Sequence, residues 1–311
     1  LKNFFFDVYL IHYVNEFLSV KDIVRFKKPT LIFLNDMWFF GGTQHFFDHP
    51  KKKFSLSFKS FFDLLNYLSW AFKFKYLSMN RNITFIASSD WLKINAQKSQ
   101  MLKNHKVKKI YTPTNIIFWK KINKNKCRKK LKLPINKKLI LFVAKGGFEN
   151  YRKGGDIFKK LVKSYSIDNQ INFVILGQPF QNQFEFKKNF FVMNIINNDK
   201  KLRDLYNAVD LVICLSRYDN IPYSIIESMS CGTPNISTDV GGISEIISHK
   251  NNGWLLKNKS INQIKKSINW TLKNVNYNKL SNNSIKDVKK KFSYSKILYD
   301  YNKIYNSIKN T

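Results

Sequence analysis

The sequence predicts an α/β protein with two parallel-sheet lobes, and three observations carry that prediction. Short apolar runs of strand length alternate with helical stretches along most of the chain, a charge-dense segment poor in strand pattern interrupts the series near its middle, and apolar content is high enough for two cores. The 311 residues are 44% hydrophobic and 16% aromatic, with 28 Phe. α/β chains of this length usually divide into separate cores.

In the first lobe, DVYLIHYV (7–14), TLIFLND (30–36), NITFIASS (82–89) and KKIYTP (108–113) read as strands. SVKDIVRFKK (19–28), ending before Pro29, and DWLKINAQKSQMLKNH read as the helices between them. Residues 119–137 are crowded with Lys and contain Pro134, which predicts domains over 1–120 and 138–290, a linker at 121–137, and a helix at 291–311 returning toward the first domain. The second series has strands KLILFVA (138–144), NFVILG (172–177), DLVICLS (210–216) and TPNIST (233–238). Helices GGDIFKKLVKSYSI, LRDLYNA and SIIESMSC lie between them. That rhythm is the one expected of a Rossmann-like, doubly wound sheet.

With 54 Lys plus Arg against 20 Asp plus Glu, the formal charge is +34. Such a balance favours anions, whether phosphorylated substrates, acidic lipid or nucleic acid. The lysines are spread beside abundant Asn, Ile and Phe, so compositional drift accounts for the charge equally well. No zinc spacing, Arg-rich tail or RNA-binding aromatic signature supports a specific nucleic-acid partner. Cys127, Cys214 and Cys231 lack CxxC spacing, which predicts reduced thiols in a cytoplasmic chain and no metal site. No apolar run reaches the ~20 residues needed to span a bilayer. Residues 51–79 interleave Lys with large aromatics at roughly helical spacing. Two readings stand: a basic amphipathic helix on an anionic bilayer, or a soluble helix whose core face is Phe61, Leu64, Leu65, Leu68 and Phe72.

Chemistry is concentrated in SRYDNIPYSIIESMSCGTPNISTDVGGISEII (216–247), which leaves a buried strand at the edge where open α/β sheets bind ligands. Asp219 stands eight positions before Glu227, and the loop residues Ile221, Pro222, Tyr223 and Ser224 open a helix between them. N–H groups at a helix start accept a diphosphate, and carboxylates accept hydrogen bonds from sugar hydroxyls. Upstream, LFVAKGGFENYRKGGDIF (141–158) passes from strand through a glycine loop to helix, placing Lys145 and Gly146 at its start and Arg152 and Lys153 at its end. Fixed cations there would neutralise a diphosphate without a metal.

The 216–247 segment resembles the signature of glycosyltransferase family 4: an acid, seven residues and a Glu, then small-Gly-x-Pro and a Gly-Gly-x-x-Glu turn. Asp219, Glu227, Gly232, Pro234, Gly241, Gly242 and Glu245 fall on it. The resemblance implies a GT-B architecture of two Rossmann-like domains and retaining transfer of a sugar from a nucleotide-sugar donor to a glycan or lipid-linked acceptor. It implies no cofactor or metal. Asp219, where the family usually has Glu, would contact the transferred sugar and Glu227 the ribose, while Arg152 and Lys153 would hold the diphosphate.

NDMWFFGGTQHF (35–46) is similar to a His-Asp-Met-Trp segment in a subgroup that builds bacterial surface polysaccharides. Asn35 stands where that subgroup has a His near the sugar's reactive carbon, and an amide cannot carry a proton as imidazole does. HYVNEFLS (12–19) is similar to that subgroup's preceding loop. Such enzymes begin with a strand and Gly-rich loop not found before residue 1. The first domain is therefore expected to be incomplete by roughly two βα units, about 60 residues at about 30 per repeat. An impaired donor-binding fragment and a basic protein peripheral at the inner face of the cytoplasmic membrane are the alternatives.

Overall fold

The computed structural model describes residues 7–12, 18–47, 60–78, 82–165, 170–178, 190–273 and 277–309. Contacts divide the chain into two compact units, one comprising Leu1–Thr112 with Ser295–Thr311 and the other Pro113–Tyr294. Most of the 12–19 loop and the lysine-rich residues 51–59 lie outside the described residues.

The first unit contains β1 (Tyr9–His12), α1 (Val20–Ile23), β2 (Thr30–Leu34), α2 (Phe61–Leu77), β3 (Ile83–Ala87), α3 (Asp90–Lys98) and β4 (Lys106–Lys109). The strands lie in the order β1-β2-β3-β4, all parallel. Central strands β2 and β3 are buried at every position, because both faces of the sheet are covered. Ile32, Leu34, Phe85 and Ala87 point into a core that α1, α2 and α3 complete, while Leu31, Phe33 and Ile86 point to the opposite face. The strand expected at 108–113 occurs earlier, at β4, where Lys and Val alternate and Val107 alone is buried. A one-sided pattern of this kind suits an edge strand.

The second unit begins with α4 (Lys124–Lys130) and continues through β5 (Lys138–Val143), α5 (Gly155–Ser164), β6 (Ile171–Leu176) and β7 (Phe190–Met193). Next come α6 (Asp199–Ala208), β8 (Leu211–Cys214), α7 (Tyr223–Ser230), β9 (Asn235–Thr238), β10 (Gly253–Leu256), α8 (Ile261–Lys273) and α9 (Tyr277–Phe292). Its six strands are parallel, in the order β10-β9-β8-β5-β6-β7. Side chains alternate faces: Ile140, Phe142, Phe173 and Ile175 pack with α5 and α8, whereas Leu139, Leu141, Val174 and Leu176 pack with α6. The final helix, α10 (Tyr294–Lys309), sets Ile297, Tyr301 and Ile304 against Leu31, Phe33 and Ile86 of the first unit's sheet.

Residues 121–137, expected as a linker, hold α4 and belong to the second unit. The reason is Arg128, which is buried and donates to the carbonyls of Ala208, Ile135 and Lys137 and to the Asp210 carboxylate. Lys124 pairs with the other oxygen of Asp210 at 2.6 Å. A charge-dense stretch that reads as a linker thus anchors the start of β5, since Asp210 also accepts from the Leu139 N–H.

Candidate functional site

The second sheet changes direction at β5. Strands β6 and β7 extend to one side and β8, β9 and β10 to the other, so the carboxyl ends of neighbouring β5 and β8 flank a topological switch point, where doubly wound sheets bind ligands. The two loops leaving those ends carry most of the sequence-derived candidates: 144–154 after β5 and 215–222 after β8.

These loops are tied together by backbone and side chain. The Arg217 N–H donates to the Arg152 carbonyl at 2.8 Å. Gly154 adopts φ 79° against Leu215, whose carbonyl oxygen any Cβ at 154 would strike. Only glycine combines that dihedral with so close an approach. Asn150 organises the first loop, its amide donating to the Lys145 carbonyl at 2.8 Å and its oxygen accepting from the Lys153 N–H at 2.9 Å. Arg217 forks onto Asp156 at 2.7 and 2.8 Å and lies 3.6 Å over the Tyr151 ring. That fork draws the Asp156 carboxyl below its ordinary range, so Arg217, despite its charge, ties the loop to α5.

The result is a charged cluster. Lys153 Nζ lies 2.5 Å from Asp219 Oδ2, and Arg152 Nη1 lies 3.8 Å from the same oxygen. Arg152 also donates to the Tyr218 carbonyl at 3.0 Å. Asp219 is buried and accepts from the Ser216 hydroxyl at 3.0 Å and from the Asn220 N–H at 3.2 Å. The Gly-Gly turn presses on this segment from behind: the Gly242 N–H donates to the Asn220 carbonyl at 2.9 Å. Gly241, at φ 61°, leaves no room for a Cβ beside the Asp219 carbonyl. The glycines of the motif therefore set the height of the Asp219 backbone.

Asp219, Lys153 and Arg152 are thus brought together. Lys145 is exposed at the start of the same loop, and Gly146 is left-handed at φ 88°. Ile221 and Pro222 lead into α7, whose N-cap is Pro222 and which no side chain caps; exposed Tyr223 and half-buried Ser224 form its first turn. Glu227, one turn on, faces Tyr206 of α6, whose hydroxyl donates to Oε2 at 3.1 Å. Burial pushes the Glu227 carboxyl up to about 7, against the lowering effect of that hydrogen bond. Asn35 lies in the first unit, exposed, one residue beyond β2.

Sequence reasoning missed Ser216, Arg217 and Tyr206. The first two lie within or beside the motif and were open to recognition as polar residues at a strand's end. Tyr206 gives no signal, because its partnership with Glu227 depends on the packing of α6 against α7. A cavity of about 740 Å³ opens elsewhere in this unit, lined among others by Lys130, Lys132, Asn194 and Lys201, and none of the candidates borders it. Among the described residues no group of three or more His, Cys, Asp or Glu side chains comes together as a metal site. No described helix is long and apolar enough to cross a membrane.

Two units, each a parallel sheet alternating with helices and the second doubly wound about β5, make up the GT-B fold of the glycosyltransferases. The family model of glycosyl transferases group 1 matches residues 123–291, more than half of the chain, and the protein belongs to that family. It is 27% identical over 194 residues to an uncharacterized glycosyltransferase of Methanocaldococcus jannaschii, covering 58% of this chain and 48% of that one. To the N-acetyl-alpha-D-glucosaminyl L-malate synthase of Bacillus anthracis it is 22% identical over 166 residues, covering 52% and 43%. The chain thus spans about half the length of these relatives. Among solved structures, sucrose-phosphate synthase from Thermosynechococcus elongatus superposes with a TM-score of 0.76 at 18% identity, over 97% of this chain and 74% of its own. HepE of Anabaena, solved with UDP-glucose, superposes at 0.66 and 18% identity, over 90% and 73%.

Proposed function

We propose that the protein is a retaining family 4 glycosyltransferase that moves a sugar from a nucleoside-diphosphate sugar to an acceptor hydroxyl in glycan or polysaccharide biosynthesis. The observation that carries this reading is the Lys153–Asp219–Arg152 cluster at the β5/β8 switch point. A structure of HepE, similar in fold, was solved with UDP-glucose, which supports a nucleotide-sugar ligand here. In the reaction, the bond from the anomeric carbon to the diphosphate oxygen breaks and a bond to the acceptor oxygen forms on the same face. The acceptor's proton passes to the departing diphosphate.

Lys153 and Arg152 neutralise the charge that develops on the leaving diphosphate, together with N–H groups at the start of α7, Lys145 and Gly146. Asp219, fixed by Ser216 and the Gly-Gly turn, accepts from hydroxyls of the transferred sugar. Glu227 accepts from the ribose. The chemistry runs without a metal or cofactor, and the acceptor is a glycan or lipid-linked glycan met at the cytoplasmic face of a membrane.

Isothermal titration of the full chain with UDP- and GDP-sugars tests this reading. Binding in the micromolar to millimolar range usual for substrates is expected, followed by transfer or slow donor hydrolysis. No binding of any nucleoside-diphosphate sugar would sink it. Binding without turnover would support the impaired donor-binding chain, which the amide at Asn35 favours.

A further inference from the structure

Helix α2 is apolar on two sides. Its inner side gives Trp70, Phe74 and Leu77 to the first unit's core. Its outer side carries Phe61, Leu65, Leu68 and Phe72, which follow one another at intervals of four, three and four residues and so form a single stripe over three turns. These side chains are 69, 40, 52 and 45% exposed, and neighbouring Phe62 is 78% exposed. The reading in which Phe61, Leu64, Leu65, Leu68 and Phe72 form the core face is therefore corrected: Leu64 is half-buried and the other four are exposed. The core takes the opposite side of the helix, where Lys73 reaches back to the carbonyls of Trp38 and Gly42. A helix packed on a core on one side normally turns polar residues to water on the other, and a contiguous apolar patch marks an interaction surface.

Cations lie along α2 and on the helix packed beside it. Lys75, next along the stripe, is exposed. Helix α1 packs beside α2, and the segment through α1 and the turn after it exposes Lys21, Arg25, Lys27 and Lys28 against one acid, Asp22. On α2 itself, Asp63 is the one exposed acid. A formal charge of +34 also opposes covering the stripe with a second copy of the same chain.

We propose that the outer face of α2 docks the protein on an anionic lipid surface, with Phe61, Phe62, Leu65, Leu68 and Phe72 entering the boundary between headgroups and acyl chains and the flanking cations meeting lipid phosphates. The surface lies in the first unit, so the inference stands independently of donor binding by the second.

The test is co-sedimentation of the full chain with phosphatidylcholine vesicles, with and without one quarter phosphatidylglycerol. Wild type partitions at least tenfold more strongly onto the anionic vesicles, and raising the salt weakens that binding. Phe62→Ser combined with Leu65→Ser lowers the partition at least tenfold, because both side chains lose apolar burial. With Phe62 78% and Leu65 40% exposed, the melting temperature falls by no more than about a few degrees and the fold is kept. UDP-glucose titration of the same double variant is unchanged from wild type, which separates this surface from the donor site. Equal binding to neutral and anionic vesicles, or undiminished binding by the double variant, would overturn the proposal. So would a concentration-dependent dimer that ignores vesicles and disappears in the double variant, which would assign the face to a second copy.

Discussion

The two units each turn a lysine toward a strand-to-helix corner, and the two lysines do different work. In the first unit, Lys73 is buried beneath the loop that follows β2. Its ammonium donates to the carbonyls of Trp38 at 2.5 Å and Gly42 at 2.6 Å and stands 4.1 Å over the Trp38 ring. Burial lowers its pKa to about 7, partly opposed by Asp36. Both acceptors are backbone oxygens that cannot move away without unmaking the loop. In the second unit, Lys153 is paired with the Asp219 carboxylate beside Arg152, at the edge where the sheet changes direction. A doubly charged diphosphate can compete for that ammonium while Ser216 and Asn220 continue to hold the carboxylate. A lysine that satisfies carbonyls is scaffold, whereas one that shares a carboxylate with other donors remains available to an anionic ligand.

The sharpest way to break this comparison is to remove each lysine. Lys73→Ala leaves two buried carbonyls without their donor and opens space beneath the loop, and orphaned buried acceptors cost about 1–3 kcal/mol each. The expected loss is about 3 kcal/mol of stability in urea unfolding, with nucleotide-sugar affinity retained in the folded protein. Next in size, Lys153→Ala should weaken nucleotide-sugar binding or turnover about a hundredfold, the scale for removing one preorganised charge contact, while stability falls by about 1–2 kcal/mol, because the buried Asp219 loses one cation but keeps Arg152, Ser216 and Asn220. If Lys153→Ala unfolds the protein and binding survives in what remains folded, the assignments are reversed.

The sequence made one of these corners legible and hid the other. At the β5/β8 corner, the glycines, Asp219 and the Arg-Lys pair are near one another in two short segments, and each follows a strong apolar run. Strand pattern and local motif therefore agreed on the edge of the sheet. Lys73 lies 35 residues from Trp38, on a helix whose two apolar sides defeat a reading by periodicity, and only tertiary packing reveals which side faces inward. Asp210 and Arg128 were hidden in the same way. The charge-dense stretch reads as a linker, but these two side chains join α4 to the residue before β8 over 82 residues of sequence, and Asp210 in turn holds the first residues of β5 through the Leu139 N–H. The short edge strand β7 was missed because four residues of moderate burial carry little pattern.

The smallest expected effect concerns Glu227, and it distinguishes a residue kept for a ligand from one kept for the fold. Burial raises its pKa from 4.5 to about 7. The folded state thus holds the proton more tightly than the unfolded chain, so the contribution to stability is complete below about pH 4.5 and is lost as pH rises through 7. Glu227→Gln keeps an oxygen for the Tyr206 hydroxyl and removes the cost of a buried carboxylate. The variant should match wild type near pH 4.5 and exceed it by about 1–2 kcal/mol at pH 8, read from urea unfolding at several pH values. If the carboxylate serves the ribose of a donor, the same variant should lose nucleotide-sugar affinity at pH 8 even as it gains stability, because a charged acceptor binds hydroxyls more strongly than an amide does. A stability difference independent of pH would place Glu227 in a solvated setting, and unchanged affinity would remove it from the donor site while leaving the Lys153–Asp219 cluster to stand alone.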